Sequence, residues 1–541
     1  MTDSFIPPHR LPAWRELEAH AVRLRESRVT TLFDRDPQRF EAFSCRHDGL
    51  LLDCSKQLLD RAALADLLAL AGQARLDAGI AALFDGEELN FTEGRPALHM
   101  ALRDGCPPPP AESAAVAHER TRVRAFAAEL EHGRVRGASG QPIRTVVNLG
   151  IGGSDLGPRM VAEALVPAAP TARPEVRFVA NIDPHELDAA LATADPARTF
   201  FIVSSKSFST AETLANAHAA RAWLRAGLGA DIDVGHHFAA VSNATAAAAA
   251  FGIAAERVFA LPEWVGGRYS VWSAIGLPLM VAIGANAFDA LLTGARSMDD
   301  HFRHTAPADN LPVLLGLAGL WNTVFLATET LAVLPYAHGL RSFPAWLQQL
   351  EMESNGKHCL RDGSTSAVAT SPVVWGAAGT VGQHAFHQLF YQGTRRVALD
   401  FVVPAGDDDP RRRALVENAL AQSAALMAGR DLPAALAALR ATGESEAQAQ
   451  RLAPHLVCPG NQPSSTILLP ALNAYTLGQL MALYEHKVFV QGWIWGINSF
   501  DQYGVELGKE MARTLASGAS AVRDPSTAGL MAAADAMRSA G

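Results

Sequence analysis

TVVNLG (Thr145–Gly150), VRFVANI (Val176–Ile182), TFFIVSS (Thr199–Ser205), HHFAAVSN (His236–Asn243) and RVFAL (Arg257–Leu261) are short β-branched and aromatic runs separated by alanine-rich stretches of helical period. Strand, helix, strand repetition of this kind predicts a mainly parallel sheet covered by helices on both faces. In such sheets ligands lie in the loops beyond the carboxyl ends of the strands. Residues that carry chemistry are therefore expected just after these runs.

Upstream, residues 1–115 read as a helical extension, with amphipathic stretches at Trp14–Glu26 and Cys54–Leu76, ending in the breaker run Pro107–Pro110. Downstream, a second set of candidate strands begins near residue 312: LAVLPYA (Leu331–Ala337), PVVWG (Pro372–Gly376) and RVALDFVVP (Arg396–Pro404). The segment from Gly508 onward reads as helical and loosens into an Ala, Ser and Gly tail. The expected partition is a helical extension at 1–115, a first α/β domain at 116–290, a second at 291–507 and a helical closing segment at 508–541. The longest apolar tract, Leu311–Ala337, is broken by Asn322, Glu329 and Pro335, which suits a buried helix followed by a strand rather than a membrane span.

With 541 residues, 49% hydrophobic and 19% charged, the chain can bury a large core. A net charge of −9 argues against a nucleic-acid or anionic-membrane partner, since both need a basic face. Any anionic substrate must then be held by local donors. The five cysteines (Cys45, Cys54, Cys106, Cys359, Cys458) contain no Cys-x-x-Cys pair, so neither a disulfide framework nor a cysteine zinc site is expected, and a reducing cytoplasm suits them. No apolar h-region follows MTDSFIPPHRLPAW, so no secretory signal is expected.

Only five lysines occur, against 41 arginines. Lysine is a compact point charge that can exchange a proton, which arginine cannot. Lys206, Lys357 and Lys509 fall inside motif-like stretches, Lys487 lies near the third of these, and Lys56 stands alone.

The run TVVNLGIGGSDLGPRM places Gly150, Gly152, Gly153 and Gly157 after a strand, with Ser154 and Asp155 opening a helix. Such a turn lets backbone N–H groups approach an anion or hydroxyl. A dinucleotide fingerprint is the rival, but Gly-x-Gly-x-x-Gly counted from Gly150 puts Asp155 at the third glycine, beside the pyrophosphate. In SSKSFSTAET (Ser204–Thr213), hydroxyls and Lys206 crowd the turn before a helix, which makes a phosphate cradle. Ser209 and Glu212 have capping-box spacing, so the helix is expected to start there. The Gly-x-x-x-x-Gly-Lys spacing of a nucleotide loop is missing, which favours a monophosphate.

In SFPAWLQQLEMESNGKH (Ser342–His358), Pro344 starts a short helix that Gly356 ends, and Gln349 and Glu353 share a face. The negative helix end is expected to lift the Glu353 pKa, as a general base near neutral pH requires. Arg268 follows Gly266 and Gly267, and its permanent cation suits either a developing oxyanion or a structural ion pair. His384 and His387 have i, i+3 spacing that permits metal binding, but no third ligand stands at a telling distance. Gln502 and Lys509, seven apart, are expected on one helical face.

In their order along most of the chain, NFTEGRPALHMALR, NLGIGGSDLGP, SSKSFSTAET, VGGRYSVWSAIGL, LEMESNGK, GQHAFHQL and FDQYGVELGK resemble the glucose-6-phosphate isomerase family. The resemblance implies an α/β protein of two sugar-isomerase domains, each an αβα sandwich with a mainly parallel sheet, plus helical N- and C-terminal extensions. It implies a cytoplasmic homodimer that uses no metal or cofactor and takes a small sugar phosphate. It also implies roles: Glu353 as the base moving a proton between C1 and C2, His384 and Lys509 as aids to ring opening, and Arg268 beside the enediolate. Ser205, Lys206, Ser207, Phe208, Ser209 and Thr210 match the phosphate loop. Gly153, Ser154, Gly267, Gln349 and Gln502 match sugar contacts, and His384 is implied to complete the partner's site. Ser207 and Ser209 stand where many relatives carry threonine, with the hydroxyl kept.

The implied reaction interconverts glucose 6-phosphate and fructose 6-phosphate through a cis-enediolate, in glycolysis and gluconeogenesis. It needs a ring-opening acid/base pair, a base at the carbon next to the carbonyl and a cation for the enediolate. A non-catalytic sugar-phosphate sensor would keep the cradle and could lose Glu353, His384 or Lys509, and all three are present. A nicotinamide dehydrogenase is the third class.

Overall fold

Strand–helix alternation runs from Thr145 to Phe259 in the computed structural model, which describes residues 5–166, 173–406, 408–516 and 524–540. Strands are numbered along the chain, beginning with an N-terminal hairpin, β1 (Ser44–His47) and β2 (Leu50–Asp53). The alternating region supplies β3 (Thr145–Leu149), β4 (Glu175–Val179), β5 (Thr199–Ser204), β6 (Phe238–Val241) and β7 (Val258–Phe259). They form one parallel sheet in the order β4-β3-β5-β6-β7. Every residue of β3, β5 and β6 is buried, as strands covered on both faces require.

The strand order fixes where a ligand can enter. From β3 the chain crosses to β4 on one side, then returns to β5 on the other. Because parallel crossovers are right-handed, the helices after β3 (Leu156–Leu165) and after β5 (Ala211–Leu228) leave on opposite faces. A crevice therefore opens between the carboxyl ends of β3 and β5. The glycine turn and the serine turn are the loops that border it.

The second sheet adds β8 (Thr330–Pro335), β9 (Val373–Gly376), β10 (Ala398–Pro404) and β11 (Ser464–Leu469). Its order is β1-β2-β11-β10-β8-β9, parallel from β11 through β9. β8, β9 and β10 coincide with the runs read as strands, whereas β11 was not foreseen. The hairpin corrects the expectation of a wholly helical N-terminal region: β2 pairs antiparallel with β11 and extends the second sheet. The apolar tract from Leu311 is a buried helix (Leu311–Leu320), a π turn (Trp321–Phe325) and then β8, as its interruptions predicted. The helix Ala474–Trp495 is buried almost along its whole length, starts on an Asn473–Thr476 capping box and stops at Gly496 with φ +75°.

Residues 1–499 form one compact unit and residues 500–541 a second, which holds the helices Glu506–Ala516 and Pro525–Ala540. Among the described residues no single helix is long and apolar enough to cross a membrane.

Candidate active site

Two glycine turns meet backbone to backbone. A Cβ placed on Gly153 would lie 1.9 Å from the carbonyl oxygen of Gly267 and 2.8 Å from the amide nitrogen of Arg268, so only glycine allows this approach. Gly152, with φ +61°, would carry a Cβ 3.1 Å from Gln349 Nε2. The turn is tied to the strand ends beneath it, because Asn148 Nδ2 donates to the Ser154 carbonyl at 3.0 Å and Ser204 Oγ donates to Asn148 Oδ1 at 2.8 Å. Gly153, Ser154, Gly267, Arg268 and Gln349 are thus drawn into one neighbourhood. The Asp155 carboxylate caps no helix and instead pairs with Arg159 at 3.0 Å.

The serine turn differs from its sequence reading in one respect. The capping box of Ser209 and Glu212 does not form: the N-cap is Thr210, without a side-chain cap bond. The hydroxyls pair within the loop instead, Ser205 Oγ with Thr210 Oγ1 at 3.0 Å and Ser207 Oγ with Ser209 Oγ at 2.6 Å. Phe208 explains this shape. Its ring is buried against Phe251, 5.8 Å between centroids, while its backbone sits at φ +48°, a left-handed conformation costly for an aromatic residue. The anchored ring and turned backbone bring Ser207 and Ser209 together over the start of the helix. Lys206 leans on Glu263, with Nζ 3.0 Å from its carboxylate. Asn243 Nδ2 at 2.7 Å and Arg95 at 3.1 Å share that carboxylate. Burial would raise the Glu263 pKa, but these donors outweigh it and hold the carboxyl below its ordinary value. Glu263 escaped the sequence reading because nothing local marks it.

Glu353 lies in a π-helical turn, Gln348–Glu353, which widens the helix begun at Phe343. Such turns are rare and recur at functional sites. Gln349 and Glu353 share a face as expected: Gln349 Nε2 donates to Glu353 Oε2 at 3.0 Å. Arg268 NH1 reaches the same oxygen at 3.4 Å, with the Arg268 side chain 1% exposed and that of Glu353 23%. Glu353 and Arg268 therefore meet beside the Gly153–Gly267 contact. Other donors of Arg268 go elsewhere, among them Nε to Ser354 Oγ and NH2 to the Ser499 carbonyl, each at 2.6 Å. Ser354 was missed, although it is the residue after Glu353 in the motif.

His384 ends a 3-10 turn (Val381–His384) and is exposed. His387 is buried and bonds Gln422 at 3.2 Å. Among the described residues no cluster of three His, Cys, Asp or Glu could hold a metal ion. Lys509 lies in the second unit, in the helix Glu506–Ala516, and pairs with Glu506 at 2.7 Å. Gln502 does not share that helix: it precedes a 3-10 turn (Tyr503–Val505) with φ −152°, which corrects the expectation of one helical face. Of the other lysines, Lys487 is buried against Glu351, Lys357 donates to the Asn498 carbonyl and Lys56 to Ser423.

Residues 53–531 match the family model described as phosphoglucose isomerase. A glucose-6-phosphate isomerase of Aromatoleum aromaticum is 71% identical, the match covering 99% of each chain. One from Dechloromonas aromatica is 49% identical, over 96% of this chain and 98% of that protein. The crystal structure of a glucose-6-phosphate isomerase from Chlamydia trachomatis superimposes with a TM-score of 0.84 at 30% identity, covering 98% of this chain and 100% of that one.

Proposed function

This chain belongs to the phosphoglucose isomerase family, and we infer that it interconverts glucose 6-phosphate and fructose 6-phosphate with Glu353 as the proton shuttle. The observation that carries this reading is the pairing of Glu353 with Gln349 at 3.0 Å and Arg268 at 3.4 Å beside the Gly153–Gly267 contact. Glu353 takes the C2 proton of the open-chain aldose and returns it at C1. Negative charge then grows on the oxygens of the enediolate, and the Arg268 guanidinium meets it with an N–H edge already held in place.

The phosphate is taken by the turn from Ser205 to Thr210. Four hydroxyls, Lys206 and the first N–H groups of the helix Ala211–Leu228 supply donors, which answers the need for local binding on a chain of charge −9. Phosphate arrival exchanges the Ser–Thr and Ser–Ser pairs for bonds to its oxygens and draws Lys206 from Glu263. Gly153, Ser154, Gly267, Gln349 and Gln502 contact the sugar, and Lys509 with His384 assists ring opening.

The protein acts in the cytoplasm as a homodimer in which His384 serves the partner's site. Two features support that assignment: His384 is exposed, and Val381 and Leu389 beside it are exposed apolar residues at 72% and 43%. Residues 116–290 and 291–507 then act as the two sugar-isomerase domains.

A coupled assay from fructose 6-phosphate, run with EDTA, tests the activity, and turnover should be unaffected by the chelator. Refolding Glu353→Gln together with His384→Ala tests the shared site. Each variant alone should be nearly inactive, and random pairing should restore about a quarter of wild-type activity, since about half the dimers carry one intact site. No recovery, with hybrids verified by mass spectrometry, would put both residues in one subunit's site.

A further inference from the structure

Arginine beside a carboxylate tends to close onto it. Two parallel N–H···O bonds form, both carboxylate oxygens are used, and the anion becomes a poor base. Arg103 does this to Asp299, with Nε and NH2 each 2.7 Å from an oxygen. Arg268 does not do it to Glu353, although the two are neighbours. Two of its bonds, both 2.6 Å, go to uncharged oxygens, and it meets the carboxylate at 3.4 Å. Something must hold the guanidinium back.

The residues that hold it follow the base directly in sequence. Ser354 and Asn355 are fully buried. Ser354 Oγ accepts from Arg268 Nε, and Asn355 acts one step removed: its Oδ1 accepts from Ser499 Oγ at 2.7 Å, and the Ser499 carbonyl accepts from Arg268 NH2. Asn355 is itself fixed, since its Nδ2 donates to the Val488 carbonyl at 2.9 Å. The Ser354 hydroxyl is oriented in turn by the Tyr269 hydroxyl at 3.0 Å. Burial pushes the Tyr269 phenol above its ordinary pKa, so it stays protonated, and its ring stacks on His99 at 4.5 Å.

We propose that Ser354 is a positioning residue for the isomerisation: its hydroxyl clamps the Arg268 guanidinium so that one N–H edge faces the reacting oxygens while Glu353 stays free to take a proton. The Ser499 carbonyl, set by Asn355, is the second jaw of the clamp. Because Glu353, Ser354 and Asn355 are consecutive, the base and the clamp move as one piece. This rests on Glu353 and Arg268 having the roles proposed above. A clamp of this kind acts on the chemical step and not on the phosphate, so its loss falls on kcat and spares KM.

A double-mutant cycle separates the clamp from mere packing. Ser354→Ala should lower kcat by about 10- to 100-fold, the equivalent of one hydrogen bond to a charged group, with KM for fructose 6-phosphate within about twofold. Tyr269→Phe should move kcat the same way by a smaller factor. Arg268→Lys, which removes the fork, should be slow on its own, and adding Ser354→Ala should slow it by less than about twofold further. Full multiplication of the two losses, or a raised KM with unchanged kcat in Ser354→Ala, would overturn the clamp while leaving the roles of Arg268 and Glu353 intact. Wild-type kcat in Arg268→Lys would instead defeat those roles, and the clamp with them. Should Ser354→Ala fail to fold, the same cycle with Tyr269→Phe decides by the same criterion.

Discussion

Two arginine–carboxylate pairs use the same chemistry to opposite ends. Arg103 is fully buried with Asp299 and Glu485, at 2.7 and 2.6 Å, and His486 and Trp272 complete the carboxylates at 2.6 and 2.8 Å. Burial alone would raise the Asp299 pKa, but the Arg103 charge and the bonds from His486 and Arg103 outweigh it and hold the carboxyl below its ordinary value. Every strong donor there has an acceptor inside the protein, so the cluster is finished. Arg268 and Glu353 meet at 3.4 Å, and the carboxylate keeps 23% of its side-chain surface. The difference separates a pair proposed to act on substrate from a structural one. Arg268 is also held by the uncharged oxygens of Ser354 and Ser499, and the carboxylate keeps surface on which a substrate could act.

The comparison breaks most visibly if Glu353 proves dispensable. Glu353→Gln keeps the shape and the Arg268 contact but cannot accept a carbon-bound proton. It should lower kcat by about 10²- to 10⁴-fold, with KM within a few-fold in steady-state assays. Arg103→Met should behave in the reverse sense. It leaves two buried carboxylates uncompensated and should cost about 3–5 kcal/mol of stability, read as a lowered urea midpoint, while kcat of the folded protein stays within about threefold.

A third cluster sharpens the contrast. Asp400 is buried beside the Lys487–Glu351 pair, and burial lifts its pKa from 3.8 to about 6 against the opposing effects of Lys487 and the Tyr484 hydroxyl. An acid whose folded pKa exceeds its unfolded one holds its proton longer when folded, so its share of stability is present below pH 4 and is lost as pH rises towards 6. That loss amounts to about 3 kcal/mol at most. Asp400→Asn should flatten the stability profile across this window in urea titrations at successive pH values. An unchanged slope would mean that the carboxyl titrates normally. The smallest effect is expected at the phosphate turn. Lys206→Ala should raise KM about tenfold with kcat little changed, the loss of one charge-assisted contact.

Much of this arrangement was legible in the sequence, and the exceptions have physical causes. The buried strands β3, β5 and β10 announced themselves through β-branched and aromatic runs, and the turns after β3 and β5 through glycine and hydroxyl clusters. The hairpin β1–β2 was absorbed into a helical reading because the run Leu50–Leu52 is apolar without alternation. Its signal was the Asp48-Gly49 pair, which sits at φ +46° and +85° as a two-residue hairpin turn demands. The Ser209 capping box failed because spacing cannot reveal a competing partner, and Ser207 is that partner. Ser354 could not be weighed from sequence, since its importance lies in Arg268, 86 residues away. The roles expected of His384 and Lys509 came from the resemblance alone, since spacing and composition mark these residues without assigning them a chemistry.

The most direct test follows hydrogen at carbon. With fructose 6-phosphate in D2O, proton NMR of the recovered glucose 6-phosphate should show solvent deuterium entering at C2 with the wild-type protein. Glu353→Gln should show no incorporation above the uncatalysed rate, even with substrate bound. Deuterium entering C2 at the wild-type rate in that variant would contradict the assignment of Glu353 as the group that moves the proton.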